Sequence, residues 1–458
     1  MIDTIIAESA PGETRVALLA GERVVEVFHH RAGAESLVGD IHLGRITRVA
    51  PTLDAAFVDL GGGRVGFLNA AAGHCCEGEA VLVQVDRDPT ATKGARLTAR
   101  PTLRGPRLAL TPGGRGAAVS RRIADDAERA RLKALIESAS AGRVIASERA
   151  RGADADALAH ELAGLRAIWA RIEARRRDAS APALLHRDLG PLARTLRDVV
   201  GPGPRRVIAN DARAAAEASR RLAELGLDLG ERIEIAGPRA TPFADLGVEA
   251  ALAAAREPCL ALPSGGRVTI EPGEALCAID VDLGRGEGQS AAGAARRANL
   301  EAAEAIASSL RLRAIGGLMV IDFATMATRG DRRRVLAALA QALADDRAAV
   351  APTGFTPLGL VEMTRRRDRP PLADVLCGPR RPGDGARRSL SAESVALAIA
   401  RDLVRARPAA LAVMAAPEVI AALTAEPLAS ALRAALGSDV TLRPDPARAR
   451  ESHDIVAA

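Results

Sequence analysis

Between Ala275 and Phe323 the chain reads ALCAIDVDLG, then RANLEAAEAIASSLRLRAIGG, then LMVIDF. That is a strand ending in carboxylates, a long amphipathic helix closed by Gly-Gly, and a second strand ending in a carboxylate. A strand, crossover helix and strand in one sheet normally gives parallel, usually neighbouring strands, which leaves few arrangements open. Asp280 and Asp282 lie two apart, so on a strand they share one face. Asp322 holds the matching place on the second strand. Neighbouring strands are about 4.8 Å apart, and two carboxylates at that spacing can share one cation at about 2.1 Å, which suits Mg²⁺. The pattern predicts a metal site for phosphate chemistry.

At 458 residues the chain exceeds what one hydrophobic core usually supports, so several subdomains are expected. Its formal charge is +6, and only Lys93 and Lys133 are lysine, so nearly all of the 63 basic residues are arginine. Arginine's planar fork pairs with phosphate and stacks on bases, which favours a nucleic-acid partner. A GC-rich coding bias explains the arginine preference equally well, but not the positive balance. Aromatics make up only 2% of the chain, leaving Ala, Leu, Val and Ile to form the core. Cys75, Cys76, Cys259, Cys277 and Cys377 form no CxxC, so neither a disulfide framework nor a thiolate zinc site is signalled. Nothing resembles a signal peptide, and no apolar run reaches ~20 residues. A soluble, cytoplasmic protein without a membrane partner is expected.

Residues 1–35 alternate in three short runs, the pattern of a small antiparallel sheet, and residues 36–100 continue as glycine-punctuated strands that suggest a small closed barrel. Residues 121–179 read as two helices around the strand GRVIASERA, and 180–256 as strands LLHRD, RRVIAN and ERIEIAG between helices. After the carboxylate unit come a helix (RRRVLAALAQALADD), a strand (AAVAPTGF), a Pro/Gly/Arg hinge at 377–388 and a compact α/β piece.

Three segments together resemble the ribonuclease E/G family of RNA endonucleases. GDIHLGRITRVAPTLDAAFVDLGGGRVGFL (39–68) is similar to the family's embedded S1 domain, an OB-type barrel. AIDVDLG with ANLEAAEAIASSLRLRAIGGLMVIDF (278–323) resembles its catalytic segment, and LGLVEMTRRR (358–367) its downstream signature. The resemblance implies an α+β multidomain fold. Its parts would be an RNase H-like subdomain (1–35 and 190–256), an inserted S1 barrel (36–105), a sensor-like helical insert (106–189), a DNase I-like catalytic domain (257–376), a degenerate zinc-link hinge (377–388) and a small C-terminal domain (389–458). It also implies that Asp280 and Asp322 hold the catalytic Mg²⁺, that Asp282 belongs to the catalytic group, and that products carry a 5′-phosphate and a 3′-hydroxyl. Strand-end aspartates also cap helices, but the helix after Asp280 begins well downstream.

Phe57 and Phe67 match the S1 aromatics on which the family grips RNA bases, with core packing as the alternative, and Lys93 matches a basic residue of that domain. The run Arg365, Arg366 and Arg367 is a candidate lining of the RNA channel, or a solvated face. Three departures stand out. Asp282 replaces the family's usual asparagine, and a carboxylate there is acceptor-only when ionised and repels phosphate. Ser147 and Glu148 fall where the family's 5′-monophosphate-sensing Arg-Thr pair belongs, with Arg149 and Arg151 just beyond, so loss of the sensor is expected. Cys377 stands alone where a zinc link joins family protomers, and one thiolate from each of two chains falls short of the four ligands structural zinc takes. No zinc is expected, and any homodimer would rest on protein surfaces. The resemblance thus implies a compact, ribonuclease G-like, Mg²⁺-dependent endoribonuclease acting on single-stranded RNA in processing or decay. The alternative is an RNA-binding protein on the same fold that no longer cleaves.

Overall fold

The computed structural model describes residues 2–69, 75–89, 94–138, 142–199, 203–237, 239–284, 291–348, 352–379, 388–406, 411–437 and 440–457. The chain divides into two units, Gly33–Ile235 and Met1–Ala32 together with Ala236–Ala458. The second of these begins with β1 (Thr4–Ala10), β2 (Glu13–Ala20) and β3 (Arg23–Arg31), an antiparallel meander whose reverse turns use Gly12 and Gly21 at positive φ.

Within Gly33–Ile235, five strands close into a barrel: β4 (Ile41–Ala50), β5 (Ala55–Gly61), β6 (Arg64–Asn69), β7 (Ala80–Arg87) and β8 (Ala95–Thr98). The order β4-β5-β6-β8-β7 returns from β7 to β4, so the sheet has no free edge there. Inward residues Ile46, Val58, Leu68, Val83, Val85 and Leu97 form its core. Gly66 lies where a Cβ would sit 2.5 Å from Leu97, so only glycine lets β6 and β8 pack this closely.

Four more strands, β9 (Leu103–Arg104), β10 (Leu108–Thr111), β11 (Ala117–Val119) and β12 (Arg143–Ala146), make a sheet flanked by the helices Asp126–Ser138 and Ala155–Asp178. The longer helix starts at an Asp154 cap that accepts from the Ala157 N–H. Its fully buried Glu161 accepts from the Arg107 and Leu108 N–H groups, tying helix to sheet. β13 (Ala183–His186) pairs with β4, and β14 (Arg206–Ala209) runs parallel to β15 (Ile233–Ile235).

The remainder of the other unit holds a five-stranded sheet, in chain order β16 (Cys259–Ala261), β17 (Arg267–Pro272), β18 (Leu276–Asp282), β19 (Gly317–Asp322) and β20 (Val361–Arg365). Only β18 and β19 are parallel, and the helix Ala291–Leu312 joins them as expected. Alternation sends Ile279, Val281, Met319 and Ile321 inward onto Ala302, Ile306, Leu310, Val335 and Leu339 of that helix and of Arg329–Ala342. Each such aliphatic side chain contributes roughly 1.5–3 kcal/mol by burial. On the opposite face Leu276, Ala278, Asp280, Leu318 and Asp322 are exposed among the described residues.

The expected strand AAVAPTGF lies partly outside the described residues, and among its described part Phe355 makes only an isolated bridge to Val361. The sheet's last strand is instead β20, inside LGLVEMTRRR. A C-terminal core is built by helices Ala392–Ala406, Pro417–Thr424 and Leu428–Leu436 on the strands β21 (Leu411–Ala415), β22 (Thr441–Pro444) and β23 (His453–Ala457). Among the described residues no single helix is long and apolar enough to cross a membrane.

Candidate active site

Asp280 and Asp322 are register partners at the C-terminal ends of β18 and β19, and both are exposed on the helix-free face. They line one shallow cavity of about 300 Å³ with Thr269, Glu271, Ala278 and Val320. The parallel crossover is what brings them together, because it starts both strands in the same direction with matched alternation.

Two contacts from the crossover helix fix the surroundings. The Asn299 side chain, fully buried, donates to the Ala324 carbonyl at 2.8 Å and accepts from the Ala324 N–H at 3.0 Å. That two-point clamp holds the backbone two residues past Asp322. Glu301 accepts from the Ser264 N–H at 2.8 Å, anchoring the turn that leads into β17.

Asp282 shares the face of Asp280, but its carboxylate is already engaged. Arg267, its register partner on β17, reaches Asp282 Oδ2 through Nε at 2.8 Å and Nη2 at 2.7 Å. This hydrogen-bonded carboxylate pushes the Arg267 guanidinium further toward its protonated form. Gly266 permits the approach, since a Cβ there would stand 2.6 Å from the Asp282 carbonyl oxygen. No single-residue rule marks Arg267; it shows only once β17 and β18 are set in antiparallel register.

Among the described residues no three His, Cys, Asp or Glu side chains gather into a metal cage. Asp280 and Asp322 offer hard oxygen ligands on an open face. Mg²⁺ keeps most of its water and needs only one or two carboxylates, so these two residues fit that ion.

On the barrel, four consecutive strands carry one transverse row: Arg48 on β4, Phe57 on β5, Phe67 on β6 and Arg96 on β8, each the register partner of the next. The two rings are half-buried and meet edge-to-face with centroids 5.6 Å apart. The Arg48 guanidinium carbon lies 4.4 Å from the Phe57 centroid, a cation–π distance. Arg96 is held by Asp86 through Nε at 2.7 Å. Lys93 lies outside the described residues.

Comparison with known proteins bears on both regions. The Ribonuclease E/G family profile matches residues 102–368. The chain belongs to the ribonuclease E/G family. It is 33% identical to Ribonuclease G of Escherichia coli (strain K12) over the whole of both chains. It is also 33% identical to Ribonuclease G of Haemophilus influenzae, covering 88% of this chain and 87% of the relative. Ribonuclease E of Escherichia coli (strain K12) is 33% identical over 85% of this chain but only 39% of its own length.

The arginine run, the expected sensor and Cys377 lie elsewhere in the fold. Arg365 does not line an RNA channel: β20 alternates, Arg365 falls on the buried face with Val361 and Met363, and it pairs with Asp346 at 2.8 Å while donating to the Ile315 carbonyl. Arg366 and Arg367 are exposed. At the expected sensor, Glu148 is exposed with its carboxylate 3.8 Å from Arg122. Arg149 is committed to backbone, donating to the Arg197 carbonyl at 2.7 Å. Cys377 is buried, its Sγ 3.5 Å from the Arg388 carbonyl oxygen, and burial pushes its thiol pKa up, away from the thiolate a metal needs. Most of the hinge beyond it, 380–387, lies outside the described residues.

Proposed function

We propose that this endoribonuclease of the ribonuclease E/G family is Mg²⁺-dependent and hydrolyses single-stranded RNA in cytoplasmic RNA processing or decay. The observation that carries the reading is the exposed, register-matched pair Asp280 and Asp322. When bound there, Mg²⁺ supplies a Lewis acid that lowers the pKa of a water and offsets charge growing on the phosphate. Asp280 and Asp322 provide its protein oxygens, and Asn299 keeps the second of them in place through Ala324. Water oxygen bonds to phosphorus as the bond to O3′ breaks, leaving a 5′-phosphate and a 3′-hydroxyl. The proposed subdomains keep the boundaries given above, with the barrel as S1 domain and the β16–β20 sheet as the catalytic domain.

Single-strand preference follows from the barrel row, since aromatic rings stack only on bases already unstacked from a duplex. Phe57→Ala and Phe67→Ala should each weaken binding of a short single-stranded RNA by roughly 5- to 150-fold, as stacking contributes about 1–3 kcal/mol per base. Fluorescence anisotropy on variants with unchanged melting temperature checks this. Unchanged affinity would assign both rings to the barrel core.

The exposed Glu148 and the committed Arg149 support loss of 5′-end sensing, because a carboxylate repels a terminal phosphate. RNAs with 5′-monophosphate and 5′-hydroxyl ends should be cleaved at similar rates. A large monophosphate preference would mean that a sensor survives on other residues.

The decisive experiment incubates the protein with an internally labelled A/U-rich single-stranded RNA in Mg²⁺ or in EDTA. Discrete fragments that require Mg²⁺ are expected. Binding without cleavage, over a range of RNAs and divalent ions, would make the chain an RNA-binding member of the family.

A further inference from the structure

Asp282 poses a problem for the proposed chemistry. A further carboxylate two residues from Asp280, next to a cavity that Asp280, Asp322 and Glu271 already line, adds a negative charge where an anionic phosphate must approach, and offers the ion an extra ligand. The cross-strand contact with Arg267 answers both difficulties. Arg267 donates from Nε to Asp282 Oδ2 at 2.8 Å, and its Nη2 stands 2.7 Å from the same oxygen. The two residues are Cα register partners, so the strand pairing itself brings the groups together. Both side chains are well exposed, at 63% for Arg267 and 45% for Asp282, and surface ion pairs contribute little to folding. Stability is therefore a weak reason for the pair. Its local effect is larger: it turns a bare anion two residues along β18 from Asp280 into a neutral, oriented unit.

We propose that Arg267 is a positioning residue that neutralises Asp282 and keeps it out of the metal's coordination shell, so that the pair takes the place of a neutral side chain beside Asp280 and Asp322. The inference rests on the reading of those two aspartates as the ion's ligands. It assigns Asp282 no direct contact with the ion, and makes Arg267 necessary only while position 282 is a carboxylate.

The test is a double-variant cycle of Arg267→Ala, Asp282→Asn and the combination, read by cleavage and by Mn²⁺ titration followed by electron paramagnetic resonance. Arg267→Ala should lower kcat/KM by roughly 10- to 100-fold, the usual cost of losing a group that orients a metal site. It should also tighten Mn²⁺ binding, because a freed carboxylate joins the site. Asp282→Asn should leave Mn²⁺ affinity as in the wild type, and the combination should recover most of the kcat/KM and Mn²⁺ affinity that Arg267→Ala changes. Wild-type behaviour of Arg267→Ala would overturn the proposal, as would a combination no better than Arg267→Ala alone. If the wild type cleaves no RNA the functional reading falls, while the Mn²⁺ titrations still decide whether Arg267 restrains Asp282. Melting temperatures should not change, both side chains being exposed.

Discussion

Asp280→Asn and Asp322→Asn should each reduce Mg²⁺-dependent RNA cleavage by about 10³-fold or more, because metal-ion catalysis contributes several kcal/mol and each 1.36 kcal/mol is tenfold in rate. Asparagine keeps the size and one oxygen of aspartate but removes the charge that holds a hard cation. The two sites sit side by side in the same strand register, so the losses should not add: once one ligand is gone the ion is gone, and the double variant should be little worse than either single one. Affinity for single-stranded RNA should stay close to that of the wild type, because it is assigned to the Arg48–Phe57–Phe67–Arg96 row of another unit. Both aspartates are exposed, so the fold does not depend on their charge. Gel-resolved cleavage kinetics and RNA anisotropy on the same preparations check the pair of outcomes. Cleavage that survives in both variants would remove Asp280 and Asp322 from the chemistry altogether.

The strand–helix–strand unit was legible in the sequence because its signals agree at every level. Alternation ran to Asp280 and Asp282, helical periodicity followed, Gly-Gly ended the helix, and a second alternation ran to Asp322. Pairing partners distant in sequence were not legible. Nothing in LPSGGRVTIEP says that its arginine will face Asp282, because antiparallel register is set by the hydrophobic pattern of both strands together. The row across the barrel was half visible: the two phenylalanines stood out, but Arg48 and Arg96 join them only when four strands are placed in register. Arg365 misled for a different reason. In sequence it joins Arg366 and Arg367 as a charge run, although VEMTR alternates and places Arg365 on the face of Val361 and Met363. Its charge is carried inward by a partner, Asp346, supplied from outside the motif.

That same device, a buried arginine paired across the fold, sets the second large effect. Arg15→Ala should destabilise the unit containing β1–β3 by about 3–5 kcal/mol, the usual cost of removing one partner from a buried ion pair. Arg15 lies on β2 at 2% exposure and faces its register partner Glu8 on β1, which is equally buried. Its Nη2 also meets Glu249 at 2.7 Å, and its guanidinium carbon stands 4.2 Å from the Phe243 centroid. Glu8 retains Arg405 at 2.6 Å after the substitution, which moderates the loss without satisfying the whole site. A void beside Phe243 then adds to the electrostatic cost, since an arginine stem packs as well as pairs. For a unit of this size the melting temperature should fall by roughly 10 °C. Arg15→Met combined with Glu8→Gln should recover much of the loss, because it refills the volume and removes the stranded anion together. Scanning calorimetry on the three proteins separates the possibilities. A single variant that melts with the wild type would show that water reaches Glu8, and that the pair is a surface contact in its energetics despite its burial.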